Sequence, residues 1–144
     1  MSERKPEARD AAIIPTFRYR DAAKAIDWLC QAFGFAKHFV YAGDDGRIEH
    51  AQLTFRNGMI MLGSAGDDAF GKLQRPLEKG QVPSQSPYLI VPDVDAHHDR
   101  AVAAGARVVY ALRDEPYGGR GYSCLDLEGN LWNFGSYDPW TAHH

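Results

Sequence analysis

Few side chains in this sequence could carry chemistry, and each one has a plain structural alternative. His50 lies in a strand-like stretch, where an imidazole titrating near neutrality could serve as a general base or simply hydrogen-bond within the fold. Asp126 could join it as a second acid–base group. The adjacent pair His97-His98 falls on a helical segment, and neighbouring helical residues do not converge on one metal, so the pair reads as surface. His143-His144 closes the sequence and is set aside as a tail. Cys30 sits in an apolar helical stripe and reads as a small hydrophobe, and Cys124, with no charged activator beside it in sequence, reads as a buried thiol. Arg120 stands in a Gly-Gly-Arg-Gly context near Tyr117, where glycines let a backbone approach a ligand and a guanidinium fork suits a carboxylate or phosphate. A solvated loop arginine is the alternative.

These residues need a frame to hold them. The chain has 144 residues, 44% hydrophobic and 24% charged, with a net charge of −3, enough for one stable core without staples. That balance argues against a nucleic-acid surface. No apolar run reaches the ~18 residues needed to span a bilayer, so no membrane partner is expected. Two cysteines make no disulfide framework, which points to a reducing cytoplasm. The charged stretch 1–12 reads as a disordered or extended arm without the apolar centre of a signal peptide.

The sequence repeats at an offset of 72 residues. Asp21 falls on Asp93, each closing a β-type run and opening a helical one. Phe55 to Gly63 falls on Leu127 to Gly135 in the same way. In the first half, a strand over 13–19 leads to a helix over 21–33 whose apolar face is Ala22, Ile26, Leu29, Cys30 and Phe33, capped by Asp21 and stopped by Gly34. Strands follow at 35–41, 48–55 and 59–63. The second half gives strands at 87–91, 107–112, 120–127 and 131–136, with a helix from Val94 to Ala104 stopped at Gly105. The fold class is therefore α+β, two βαβββ modules over 13–63 and 87–140 joined by a 64–86 segment that is either a lid or a linker.

Two such modules, with Asp-Leu-Glu-Gly-Asn-Leu-Trp-Asn-Phe at 126–134, resemble the vicinal-oxygen-chelate superfamily of glyoxalases, bleomycin-resistance proteins and dioxygenases. The run Pro116-Tyr117-Gly118-Gly119-Arg120-Gly121-Tyr122, with Gly135-Ser136-Tyr137-Asp138-Pro139, is similar to its PhnB-like branch. The resemblance implies one curved, mixed, eight-stranded surface, a homodimer, and a concave cavity. In metal-dependent members, four side chains of that cavity hold a divalent cation, typically His or Gln and then Glu. Here those places fall on Ile14, Met61, Ser86 and Asn133, which offer no carboxylate and no imidazole. The expectation is accordingly no metal and no cofactor.

Strand parity then assigns faces. The cavity side should carry Ile14, Thr16, Arg18, His50, Gln52, Thr54, Met59 and Met61 in the first module. In the second it should carry Ser86, Tyr88, Ile90, Tyr122, Cys124, Asp126, Leu131 and Asn133. Phe17, Tyr19, Leu53, Trp132 and Phe134 should pack under the helices. The candidate ligand contacts are Ile14, Thr16, His50, Gln52, Met61, Ser86, Tyr88, Tyr117, Arg120, Tyr122 and Asn133. By resemblance, the expected function is metal-independent binding that sequesters a small aromatic or anionic compound. The alternative is an enzyme of the same superfamily, a lyase, isomerase or dioxygenase, with an unorthodox metal set or a metal-free acid–base site.

Overall fold

The computed structural model describes residues 10–141. Most of the arm expected over 1–12, and the histidine pair 143–144, lie outside the described residues. Of the described residues, those up to Cys30 and Gly34–Pro76 form one compact unit, and Gln31–Phe33 with the chain from Leu77 onward form a second.

The first unit contains β1 (Thr16–Tyr19), α1 (Ala22–Phe33, its last turn grouped with the second unit), β2 (Ala36–Ala42), β3 (Ile48–Phe55) and β4 (Gly58–Ser64). Its sheet runs β1-β4-β3-β2, with β1 parallel to β4 and the other neighbours antiparallel. The carboxylate of Asp21 accepts from the Lys24 amide at 3.1 Å, capping orphan donors of α1. Gly34 ends the helix at φ +87°, a left-handed conformation that any Cβ would strain. The apolar positions alternate as expected, with Tyr19, Ala51, Leu53, Ile60 and Leu62 buried.

The second unit repeats this order with β5 (Tyr88–Ile90), α2 (Val94–Ala103), β6 (Arg107–Asp114), β7 (Arg120–Leu125) and β8 (Leu131–Gly135). Its sheet runs β5-β8-β7-β6, again with one parallel pair. The eight strands thus form two mixed, four-stranded sheets. The internal symmetry extends to single bonds: Met61 donates its amide to the Pro15 carbonyl at 3.0 Å, and Asn133 donates to Pro87 at 3.1 Å.

One difference breaks the repeat. Thr54 faces Met59 across four residues, whereas Leu125 faces Leu131 across five. Gln52 therefore pairs with Met61, but Ser123, not Cys124, pairs with Asn133. A slip of one residue turns every side chain of a strand to the other face. The expected parity of β7 is thus corrected: Tyr122 and Cys124 join Trp132 and Phe134 in the core, and Ser123 takes the opposite face.

Asp126 holds the longer turn. Its Oδ1 accepts from the amides of Glu128 and Asn130 at 2.9 and 3.0 Å, and Oδ2 accepts from the indole N–H of Trp132 at 3.0 Å. This corrects its reading as an acid–base candidate, because its lone pairs are committed to the turn. His97 is a second correction. It is buried with Val94 and Ala101 on one stripe of α2, the i, i+3, i+7 spacing that marks an inward face. His98 alone of that pair stays half-exposed.

Replacing Asp126 with Ala strands the fully buried indole N–H of Trp132 as well as turn amides. Each such donor costs about 1–3 kcal/mol, more than a typical surface change. Urea unfolding of Asp126→Ala should show a midpoint lowered accordingly, and Asp126→Asn, which keeps one acceptor, should lose less.

Candidate functional site

A cleft lies in each unit. In the first, β1 presents Thr16 and Arg18, β3 presents Glu49 and His50, and β4 presents Met61 and Gly63, around a volume of about 180 Å³. Phe70 and Gln74 complete it from the segment after β4. Gln52 reaches His50 side chain to side chain, Nε2 to Nε2, at 3.1 Å, so the glutamine amide donates and the imidazole accepts there. Ile14 lies ahead of β1, half-buried, and does not line this cleft.

In the second unit a larger cleft of about 320 Å³ opens between β5, β7, β8 and the turn before β7. Tyr88, Tyr110, Tyr117 and Tyr137 wall it, and Ser123 and Asn133 lie along its base. Tyr117 meets Tyr137 edge-to-face at 4.9 Å, a favoured aromatic geometry. The Tyr88 hydroxyl donates to the Tyr137 carbonyl at 2.7 Å. Burial, with further pushes from Tyr117, Asp138, Glu115 and Tyr137, raises the Tyr88 phenol to about 12, so it remains a donor. Gly119, at φ +73°, lets the turn close on Tyr137, whose backbone nitrogen would stand 2.6 Å from an added Cβ.

The charges of this cleft neutralise one another. Arg113 pairs with Glu115 at 2.8 Å and stacks over Tyr110. Arg120 pairs with Asp95 at 2.7 Å and with Asp114 at 3.2 Å, which raises its already high pKa. Arg120 lines the cleft, but its fork is occupied by carboxylates of its own chain. Tyr122 touches the cleft only from below, because its ring belongs to the core.

The four places that the resemblance equates with metal ligands make a poor donor set. Ile14 and Met61 offer no hard donor. In the second unit the Asn133 side chain is already bonded: Oδ1 accepts from Ser123 at 2.7 Å, and Nδ2 donates to Ser86 at 2.8 Å and to the Pro87 carbonyl at 3.0 Å. These residues do not fit a divalent cation. Among the described residues, no group of three His, Cys, Asp or Glu stands close enough to hold one.

The buried titratable cluster of this unit is structural. His97 Nε2 lies 2.9 Å from the Phe33 carbonyl, which can only accept, so the neutral ring carries its proton there. Nδ1 then accepts from the Tyr122 hydroxyl at 2.6 Å. The ring sits against Phe134, with centroids 4.2 Å apart. The Cys124 thiol is pushed up to about 12 by burial, assisted by Asp126, and is no nucleophile.

Sequence reasoning missed Phe70, Gln74, Tyr110, Arg113 and Ser123. Counting residues in the second hairpin would have found Ser123. Nothing in the spacing singles out Phe70 or Gln74.

Residues 14–134 match the family described as the Glyoxalase/Bleomycin resistance protein/Dioxygenase superfamily. This chain belongs to that superfamily. It is 36% identical over 130 residues to Uncharacterized protein Mb0911c of Mycobacterium bovis, covering 88% of this chain and 83% of that one. The structure of TioX from Micromonospora sp. ML1 is 34% identical, with a TM-score of 0.69 over 87% of this chain and 97% of that chain. The fosfomycin resistance protein FosX from Mesorhizobium loti, at 14% identity, shares the superfamily fold, with a TM-score of 0.62 over 90% of this chain and 94% of that chain.

Burial lowers the pKa of His97, the Phe33 hydrogen bond opposes that shift, and Arg100 adds to it. A folded value below the unfolded 6.5 means the unfolded chain binds more protons. The stabilisation is therefore complete above about pH 6.5 and is lost as pH falls toward the folded value. Chemical denaturation at pH 7.5, 6.5 and 5.5 should show falling stability, with a flatter profile in His97→Gln.

Proposed function

We propose that this chain is a metal-independent binding protein of the bleomycin-resistance type, sequestering a small aromatic or anionic compound. One observation carries the reading. The metal-equivalent Asn133 is neutral, tied on both sides to Ser86 and Ser123, and lies at the base of a cleft walled by four tyrosines. A site of this composition suits a flat organic molecule held by stacking and by phenol or amide hydrogen bonds. The ion pairs of Arg113 and Arg120 make the second cleft a poor host for an anion and a fair one for an aromatic ring. The Pro116–Tyr122 turn, which supplies Tyr117 to this wall, supports a place in the PhnB-like branch.

A metal-free acid–base enzyme is the second reading, favoured by the position of His50 on a cleft. It can no longer draw on Asp126. For the assembly we propose a homodimer. All seven residues of the edge strand β2 are exposed, with Phe39 and Tyr41 each more than half uncovered, and an open edge of this length is normally covered or paired. Two cysteines outside any disulfide, and no helix among the described residues long and apolar enough to cross a membrane, are compatible with a cytoplasmic setting.

A thermal-shift screen of neutral aromatic compounds tests the main reading, because a ligand of the folded state raises the melting temperature by mass action. Tyr117→Ala should weaken any hit by about 0.5–1.5 kcal/mol, the worth of one aromatic pair. Stoichiometric divalent metal in protein purified without chelator would overturn the reading. Ser86→His with Asn133→Glu supplies only two of four ligands, so metal affinity should rise modestly. Light scattering should give twice the chain mass, and Phe39→Glu with Tyr41→Glu should return it to one.

A further inference from the structure

We propose that Arg18 anchors a subsite for the carboxylate of a small organic acid, roofed by Phe70 and Gln74. The proposal rests on the ligand-binding reading only in giving an anionic group its place, and that place is lined by other residues than the tyrosine cleft.

Arg18 is half-buried on β1, on the same face as Thr16 and opposite the buried Tyr19. A guanidinium carries five N–H donors. Here Nη1 donates to the Ser64 carbonyl at 3.3 Å, and Phe70 lies over the group with its ring centroid 4.6 Å from the guanidinium carbon. No carboxylate among the described residues pairs with it. Arg47, Arg113 and Arg120 each have such a partner. Glu49 borders the same cleft, but Arg47 holds it at 3.3 Å. The cleft thus contains an uncompensated positive charge and a neighbouring acid that is already satisfied.

The geometry favours a planar anion. An aromatic ring on the face of a guanidinium leaves its in-plane N–H edges available, and those edges match the two oxygens of a carboxylate. Phe70 and Met61 supply apolar surface for the body of the acid, and Thr16 and Gln74 supply polar groups beside it. The volume of about 180 Å³ falls below the roughly 300–1,000 Å³ of drug-sized sites, so the acid must be small.

The roof is built rather than draped. Arg47 donates to the carbonyls of Ala65 and Ser64, fixing the exit from β4. Asp68 accepts from the Gly71 amide at 2.7 Å, and the Gln74 amide donates to the Phe70 carbonyl at 3.0 Å, closing one turn. Gln74 Nε2 then donates to the Thr16 carbonyl at 2.8 Å, tying the turn to β1. One short turn therefore delivers both roof residues.

The test is titration of the full chain with benzoate, acetate and inorganic phosphate, followed by amide shifts in heteronuclear NMR. Benzoate should bind saturably and move amides of β1 and residues 65–74, with acetate weaker for lack of an apolar body. Arg18→Gln should weaken benzoate about tenfold or more, the loss of one charge-assisted contact. Phe70→Ala should weaken it several-fold. Should Arg18→Gln fail to fold, Arg18→Lys keeps the charge but loses the fork, and it should weaken benzoate too. Retained affinity in the Arg18 variants, no shifts in β1, or phosphate binding as tightly as benzoate would each overturn the proposal. Shifts confined to β7 and β8 would overturn it while leaving the tyrosine cleft standing.

Discussion

The second unit depends on one carboxylate in a turn. Asp126 gathers two turn amides and the Trp132 indole, and so fixes a hairpin one residue longer than its counterpart. That extra residue sets the register of β7 on β8, and the register decides which side chains see the cleft. Cys124 and Tyr122 go inward, where the Tyr122 hydroxyl can reach His97. Ser123 goes outward, where it meets Asn133. Had the turns been equal, Cys124 would face Asn133 and His97 would lose its donor. A buried histidine without that bond would be a liability, since an unmet polar group in the core costs as much as several good contacts gain.

Most of the fold was legible because it is written twice. Asp21 and Asp93, the two apolar helical stripes and the paired turn signals define the same order of elements in each half. The observed strands differ from the expected bounds by a few residues at most. The faces of β1, β3, β4 and β8 followed from parity anchored on the places that the family resemblance marks. β7 failed because alignment by a constant offset hides a one-residue change of turn length. His97 failed for a different reason: adjacency to His98 suggested surface, while its spacing from Val94 and Ala101 marked it as core.

The candidate site was less legible, and the cause is physical. Tyr88, Tyr117 and Asn133 sit on regular strands or beside a glycine-bent turn, so local pattern locates them. Phe70 and Gln74 are brought to β1 by hydrogen bonds between segments 58 residues apart in the case of Gln74 and Thr16. No periodicity encodes such a contact. The two arginines of the second cleft show the converse. Sequence context marked Arg120 as available for a ligand, but Asp95, on a distant helix, had already claimed it.

Phe33 stands early in the chain, yet its ring partners are Trp132, Phe134 and His97, with centroids 5.3, 4.7 and 6.0 Å away. During synthesis the first sheet has all four of its strands once residue 64 has emerged, whereas two of these ring partners of Phe33 arrive only with β8. Domains generally fold in order from the N-terminus, and apolar surface left open meanwhile invites aggregation. The final turn of α1 is thus the part of the first half whose burial is deferred. A ribosome stalled before residue 131 would hold a nascent chain with the strands of its first sheet complete and the Phe33 ring still lacking Trp132 and Phe134.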